Sequence, residues 1–330
     1  MRVVGPAPET RFTVHQRAHM NPLRTALLWG SHNEWLGRSL PRMAFTRRAV
    51  RRFMPGESLA DALAAARGLE EGGMGTVLTQ LGENVAGEED AAEVERHYGV
   101  VFDAISDAGL DAEISVKPTQ LGMDVRPGLA EDAALRLAER SAGLNRVLWI
   151  DMEGGAYTDR TIELYHRLRE ATPWVGLCVQ ANMRRTSADL ETLLPSRPHI
   201  RLVKGAYLEP ATIAFTKRAE VDGAYEVLAT RLLGHLAATG AAERFAVATH
   251  DLPLAHRIHD AARERGVADA CEFQMLYGIR PDSQRRLAES GVRVRVLVSY
   301  GEAWFAWYMR RLAERPANVA FALRAVVSRG

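Results

Sequence analysis

The sequence predicts a closed α/β barrel of the (β/α)8, TIM type, with extra helices at its N-terminal end. Three observations carry this. Short β-branched or apolar runs recur eight times, Ala- and Leu-rich amphipathic stretches separate them, and polar residues gather where the runs end. Strands alternating with helices make parallel βα units, and eight units in about 250 residues are what barrel closure requires. The alternation taken alone also admits an open doubly wound sheet.

In chain order, residues 1–57 read as an N-terminal helical arm, with an irregular lead to about Thr10 and a helical segment from Pro22 to Arg52. Arg47, Arg48, Arg51 and Arg52 fall at i, i+1, i+4 and i+5, a basic stripe. Such a stripe is ordinarily a solvated face; transient attraction to an anionic membrane surface is the weaker alternative. Pro55 and Gly56 end the arm, and Ser58 is placed to cap a helix over Leu59 to Leu69. The barrel domain follows, over 58–330. Its strand runs are TVLTQLG from Thr76, AEISVKPTQL from Ala112, RVLWIDME from Arg146, WVGLCVQA from Trp174, IRLVKGAY from Ile200, FAVATHD from Phe245, ACEFQML from Ala270 and VRVRVLVSYG from Val292. Helical patterns fill the intervals: Glu88 to Ala108, Leu129 to Gly143, Asp159 to Ala171, Ala188 to Leu194, Ala219 to Thr239, Pro253 to Arg265 and Pro281 to Ser290. A last helix lies in YGEAWFAWYMRRLAERP, Tyr300 to Pro316.

Composition bounds the partners. The chain has 330 residues, 47% of them hydrophobic, enough for one large core. Forty-two basic against 41 acidic residues leave a net charge of +1, which gives no global electrostatic case for nucleic acid. Cys178 and Cys271 lie in apolar runs without CxxC spacing, as in a reducing, cytoplasmic compartment. No apolar h-region and no run near 18 apolar residues appears, so the sequence reads as neither secreted nor membrane-spanning.

In such a barrel the chemistry sits where strands end. Gln80, Glu83 and Asn84 follow run one, Lys117 and Gln120 run two, Asp151 and Glu153 run three, and Gln180 and Asn182 run four. Arg201, Lys204 and Tyr207 mark run five, Thr249, His250 and Asp251 run six, Glu272 and Gln274 run seven, and Tyr300 run eight. Charges inside apolar strands, such as Lys117, Asp151 and Arg201, must be paired or bind something.

Several chemistries fail on this inventory. EGGMG at Glu71 lacks GxGxxG and precedes a strand, and LVKGAY is no P-loop. His256 and His259 fall in a helical pattern beside arginines, which suits solvated histidines better than a metal site; no metal is expected. No GxSxG elbow appears. Asp151 and Glu153, two apart in a strand run, share a face and suit glycoside hydrolysis weakly, because cations outnumber free carboxylates at the run ends.

The inventory suits a large anionic cofactor and a small carboxylate-bearing substrate. Arg201, Lys204, Lys217 and Arg218 supply charge for a pyrophosphate, and Gln180 and Gln274 supply hydrogen bonds for a heterocycle. Arg310 and Arg311, with Lys117, supply a carboxylate clamp, and Glu314 falls i+4 and i+3 from the two arginines.

Together the strings SVKPTQLG, LWIDMEG, LCVQANMRRT, IRLVKGAY, AFTKRAEVD, ATHD, CEFQMLYGIR and YGEAWFAWYMRRLAERP resemble the proline dehydrogenase family, in order, over about Leu59 to Pro316. The resemblance implies a distorted barrel that holds FAD non-covalently, oxidises L-proline to Δ1-pyrroline-5-carboxylate and passes electrons to a membrane quinone. It implies that Arg310, Arg311 and Lys117 hold the proline carboxylate and that Glu314 closes the arginine network. It places Asp151 and Tyr207 beside the substrate, Leu276 as an apolar wall, and Arg201 near flavin N5. It assigns Gln180, Lys204, Gly205, Ala206, Lys217, Arg218, Thr249, His250 and Gln274 to FAD. Four positions depart from the family pattern: Leu297 and Trp307 stand where tyrosines are frequent, Ser299 where proline is common, and Leu208 where some members carry an aromatic. A related flavin barrel acting on hydroxyproline or another cyclic imino acid is the alternative that these departures raise.

Overall fold

The computed structural model describes residues 52–304 apart from 208 and 241. The arm before Arg52, Leu208, and the last-helix residues Trp307, Arg310, Arg311 and Glu314 lie outside the described residues.

The open-sheet alternative is removed by closure. Eight strands, β1 Gly75–Gln80, β2 Ala112–Val116, β3 Leu148–Ile150, β4 Val175–Gln180, β5 His199–Val203, β6 Phe245–Ala248, β7 Cys271–Leu276 and β8 Val294–Tyr300, form one barrel in sequence order. Every neighbouring pair is parallel, and β8 closes on β1 over Gly75↔Arg295 to Gln80↔Tyr300. Helices α1 Leu59–Glu71, α2 Glu88–Ala108, α3 Leu129–Gly143, α4 Thr158–Ala171, α5 Thr186–Leu193, α6 Arg218–Thr239, α7 Leu252–Glu264 and α8 Pro281–Glu289 alternate with the strands. The first of these precedes β1 and packs on the β1–β8 seam.

Helix starts follow local chemistry. Ser58 caps α1 through a reciprocal box: its Oγ accepts the Asp61 N–H at 3.1 Å, and Asp61 Oδ2 accepts the Ser58 N–H at 3.2 Å. Asp251 caps α7 by accepting the Leu254 N–H at 3.4 Å, with Pro253 in the first turn, so this helix begins one residue earlier than its pattern suggests.

The period-two pattern of each strand sorts side chains to two faces. Outward residues such as Leu78, Ile114, Leu148, Leu177, Leu202, Val247 and Val296 join the helices in the main core. Inward residues Val77, Val147, Trp149 and Ala246 form a smaller cluster against which Leu297 packs. Trp149 fits because its register partner is Gly176; a Cβ there would fall 2.5 Å from the indole ring. Towards the N-terminal end of the strands the interior is charged. Arg244 bridges Glu113 and Glu272, Arg295 Nε lies 3.5 Å from both carboxylates, and Trp149 Nε1 donates to Glu113 Oε2 at 2.7 Å. This floor places Glu272 low in the barrel, as the second residue of β7. The sequence pattern groups it with the residues at the strand's end, and the structure corrects that.

Candidate active site

A hydrogen-bonded column climbs from that floor. Glu272 Oε1 accepts from Gln274 Nε2 at 2.6 Å, and Gln274 Oε1 accepts from Arg201 Nε at 2.6 Å. Arg201 Nη1 donates to Ser115 Oγ and to Asp151 Oδ1, each at 2.9 Å, while the Ser115 hydroxyl donates to the same Asp151 oxygen at 2.7 Å. The guanidinium also lies over the Trp149 ring, 4.5 Å from its centroid. Nη2 of Arg201 is buried without a hydrogen-bond partner among the described residues. Arg201 is 3% exposed. Its charge is therefore compensated mainly by Asp151, whose side chain is 21% exposed. Burial alone would raise the Glu272 carboxyl; Arg295 and Arg244 outweigh that and hold it well below the usual carboxylate range.

Three strands away from β2 a second charged group forms. Lys204, just past β5, donates to Asp222 of α6 and, at 2.9 Å, to Asp251 beyond β6. Arg218 reaches the same two carboxylates, at 3.1 Å to Asp251 and 3.5 Å to Asp222. The hydrogen bond from Lys204 lowers the Asp251 pKa. Lys217 is exposed and pairs with Glu220 at 3.7 Å. Between these cations the backbone turns at Gly205, φ +106°, where a Cβ would fall 2.0 Å from Asn182 Oδ1. That amide oxygen is itself buried and without a hydrogen-bond partner among the described residues.

The remaining expected residues sit around the C-terminal ends of the strands. Gln180 ends β4 and donates its Nε2 to the Glu153 carbonyl at 2.8 Å. Glu153 accepts from the Thr119 N–H at 3.0 Å and from the Thr119 hydroxyl at 2.7 Å. Burial raises the Glu153 pKa. His250 Nε2 accepts the Leu276 N–H at 3.2 Å, which puts the proton of the neutral ring on Nδ1. Thr249 accepts the Asp251 N–H at 3.1 Å. Tyr207 and Lys117 are half-buried and Ala206 is exposed; Lys117 makes no ion pair with a described residue.

Two expectations are corrected. β3 ends at Ile150, so Asp151 and Glu153 lie beyond the strand and hold separate partners, Arg201 and Thr119. Each carboxylate is thus engaged by its own partner, and the shared strand face expected for the two does not exist. Arg201 stands in the middle of β5, inside the barrel, rather than at its end. Sequence reasoning missed Ser115, which links Asp151 to Arg201, and the floor residues Glu113, Arg244 and Arg295. Their signal was available: a carboxylate or guanidinium in or beside an apolar strand run must find a partner inside the barrel.

The sequence profile of proline dehydrogenase matches residues 62–324. Proline dehydrogenase 1 of Bacillus subtilis is 33% identical over 309 residues, covering 93% of this chain and 100% of the relative. The chain belongs to the proline dehydrogenase family. It is an oxidoreductase acting on the CH–NH group of proline. A further proline dehydrogenase, from Deinococcus radiodurans, is 35% identical over 283 residues, covering 84% of this chain and 89% of the relative. Among solved structures, proline utilization A from Bdellovibrio bacteriovorus superposes with a TM-score of 0.77 at 22% identity, over 93% of this chain and 37% of that one, a likeness of fold.

Proposed function

We propose that this chain oxidises L-proline to Δ1-pyrroline-5-carboxylate with non-covalently bound FAD as its immediate electron acceptor. The observation that carries the cofactor reading is the buried Nη2 of Arg201, a desolvated cationic donor without a hydrogen-bond partner among the described residues, below a polar mouth. The bare backbone of Gly205 beside Asn182 Oδ1, which has no hydrogen-bond partner among the described residues, supports it, as does the adjacent Lys204 and Arg218 pair.

In this reading Lys204, Gly205, Ala206, Lys217 and Arg218 hold the phosphates, while Gln180, Thr249, His250 and Gln274 hold the remainder of the cofactor. FAD, when bound, supplies a two-electron acceptor. Arg201 presents fixed positive charge where negative charge develops, and needs no reorganisation to do so. Asp151 and Ser115 hold that guanidinium in place. Arg310, Arg311 and Lys117 bind the substrate carboxylate, with Glu314 closing the arginine network and Tyr207 and Leu276 flanking the ring. Fixing the carboxylate fixes the ring carbon that loses hydride, which is the entropic part of the catalysis. The substrate nitrogen enters neutral, because a protonated amine has no lone pair to give to the forming imine.

Leu297 packs against the inner apolar cluster of Val77, Val147, Trp149 and Ala246. That position favours barrel packing over a widened ring pocket, and so proline over hydroxyproline. A membrane quinone is the proposed final acceptor, reached by peripheral contact from a cytoplasmic enzyme. Among the described residues no helix is long and apolar enough to cross a membrane.

The test is the visible spectrum of the purified protein under anaerobic conditions, before and after L-proline. Bleaching of a bound flavin is the expected result. A flavin that ignores proline but bleaches with hydroxyproline moves the substrate assignment, and a colourless protein that takes up no FAD refutes it.

A further inference from the structure

We propose that Glu272, on the barrel floor and outside the mouth, is a positioning residue that aims Arg201 at the flavin through the carboxamide of Gln274. This rests on the FAD reading above and concerns how that site is held.

The argument begins with what fixes Arg201. Two of its contacts, to Ser115 and Asp151, share one nitrogen, Nη1. Contacts through a single atom leave a pivot. The contact that removes the pivot is the one on Nε, to Gln274 Oε1 at 2.6 Å. A carboxamide can offer that position either its oxygen or its NH2 group, and only oxygen accepts a proton. Arg201 Nε, an obligatory donor, selects that oxygen, and the other end of the amide locks the choice, where Gln274 Nε2 donates to Glu272 Oε1 at 2.6 Å. An ionised carboxylate is acceptor-only, so it admits the NH2 group there and nothing else. The carboxylate stays ionised because its second oxygen faces Arg244 Nη1 at 3.3 Å and Arg295 Nε at 3.5 Å. Charge on the floor thus sets the polarity of one amide, and that amide sets the angle of the guanidinium.

Two substitutions separate this from a structural role. In E272Q the two arginines demand oxygen on their side, so the new amide turns its NH2 towards Gln274. Gln274 then turns over and presents NH2 to Arg201 Nε, donor against donor. In E272D the floor charge is kept and the carboxylate recedes by one methylene from Gln274. Both variants release Arg201 from its third contact.

The measurement is the two-electron midpoint potential of bound flavin by dye equilibration, with FAD affinity and Tm recorded on the same holoenzymes. The expected result is a fall of about 30 mV or more in each variant, tenfold in the reduction equilibrium. Positive charge that is no longer aimed stabilises the reduced anion less. A role through charge alone predicts the opposite sign for E272Q, since a negative charge is removed, and no change for E272D. A purely structural role lowers Tm and leaves both potentials in place. Either pattern overturns the proposal. Should E272Q fail to fold, E272D decides by itself, because it preserves the ion cluster. Wild-type protein that binds no flavin refutes the functional reading, whereas wild-type protein that binds flavin with variants of unchanged potential refutes only the role of Glu272.

Discussion

Removing the Asp151 carboxylate should destabilise the barrel from within. Asp151→Ala deletes two hydrogen bonds, from Arg201 Nη1 at 2.9 Å and from Ser115 Oγ at 2.7 Å, and the partner charge of a guanidinium that is 4% exposed. Breaking a fully buried pair at one partner costs about 3–5 kcal/mol. Here the Asp151 side chain is 21% exposed, so solvent screens part of that. Arg201 also keeps Ser115, Gln274 and the Trp149 face. A net loss of roughly 2–3 kcal/mol remains. For a unit of this size that is a fall in Tm of about 5–10 °C. Asp151→Asn keeps an acceptor without the charge and should lose about half as much. Thermal unfolding followed by far-ultraviolet circular dichroism measures both, and the same samples give kcat with L-proline, which should fall in the Ala variant before KM changes. If Asp151→Ala melts within about 1 °C of wild type, the Arg201 charge is compensated elsewhere and the column is not the support described.

Other expected outcomes follow from the same contacts. His199 accepts the Arg244 N–H at 2.9 Å through Nδ1, and burial together with the nearby Arg244 charge lowers its pKa from 6.5 to about 4. Between those values the unfolded chain binds a proton that the folded chain refuses, so stability is present in full above pH 6.5 and is lost as pH falls towards 4. The loss attributable to this group is about 3 kcal/mol at most, and His199→Asn, which keeps an acceptor but cannot titrate, should flatten that part of a urea-denaturation series in pH. Gly176→Ala places a methyl 2.5 Å from the Trp149 ring and should cost about 1–3 kcal/mol, with a changed indole emission as the local readout. Lys204→Met leaves Asp222 and Asp251 with Arg218 as their one shared cation, and should weaken FAD binding by about 10- to 100-fold in calorimetric titration, the worth of one charge-assisted hydrogen bond.

How far the sequence carried can be judged residue by residue. The alternation of runs announced eight strands, because a parallel strand covered on both faces must be apolar almost throughout and a helix between strands must show one polar face. Ser58 announced the start of α1 for an equally local reason, and the structure adds Asp61 as the other half of its cap. Arg201 and Asp151 were legible as charges in need of a partner because apolar strands do not carry charge idly, and they pair with each other; Lys117, read the same way, makes no ion pair with a described residue. Closure was not legible: nothing local distinguishes a β8 that meets β1 from one that ends an open sheet. The partners were not legible either. Ser115 joins Asp151 across 36 positions, and Arg201 joins Gln274 across 73, so their meeting depends on register between strands. Even the direction of Gln274 was hidden, since its carboxamide reads equally well as a ligand for a heterocycle and as a link between two charged neighbours.

The floor cluster completes the physical argument about why this barrel is built as it is. Four charges buried at the base of a barrel are a poor source of stability, because desolvation of each ion offsets most of what pairing returns, and well-packed apolar residues of similar size are often as stable or more so. The usual filling of such an interior is layered branched aliphatics. In this chain Glu113, Glu272, Arg244 and Arg295 take that place, and their hydrogen bonds run outwards to Trp149 and Gln274, both of which touch Arg201. Apolar packing would fix the position of neighbouring side chains but not the direction of a proton. Ions fix both. A site that must hold one guanidinium at one angle, with one nitrogen left for its ligand, gains from a foundation of charge what it forgoes in stability.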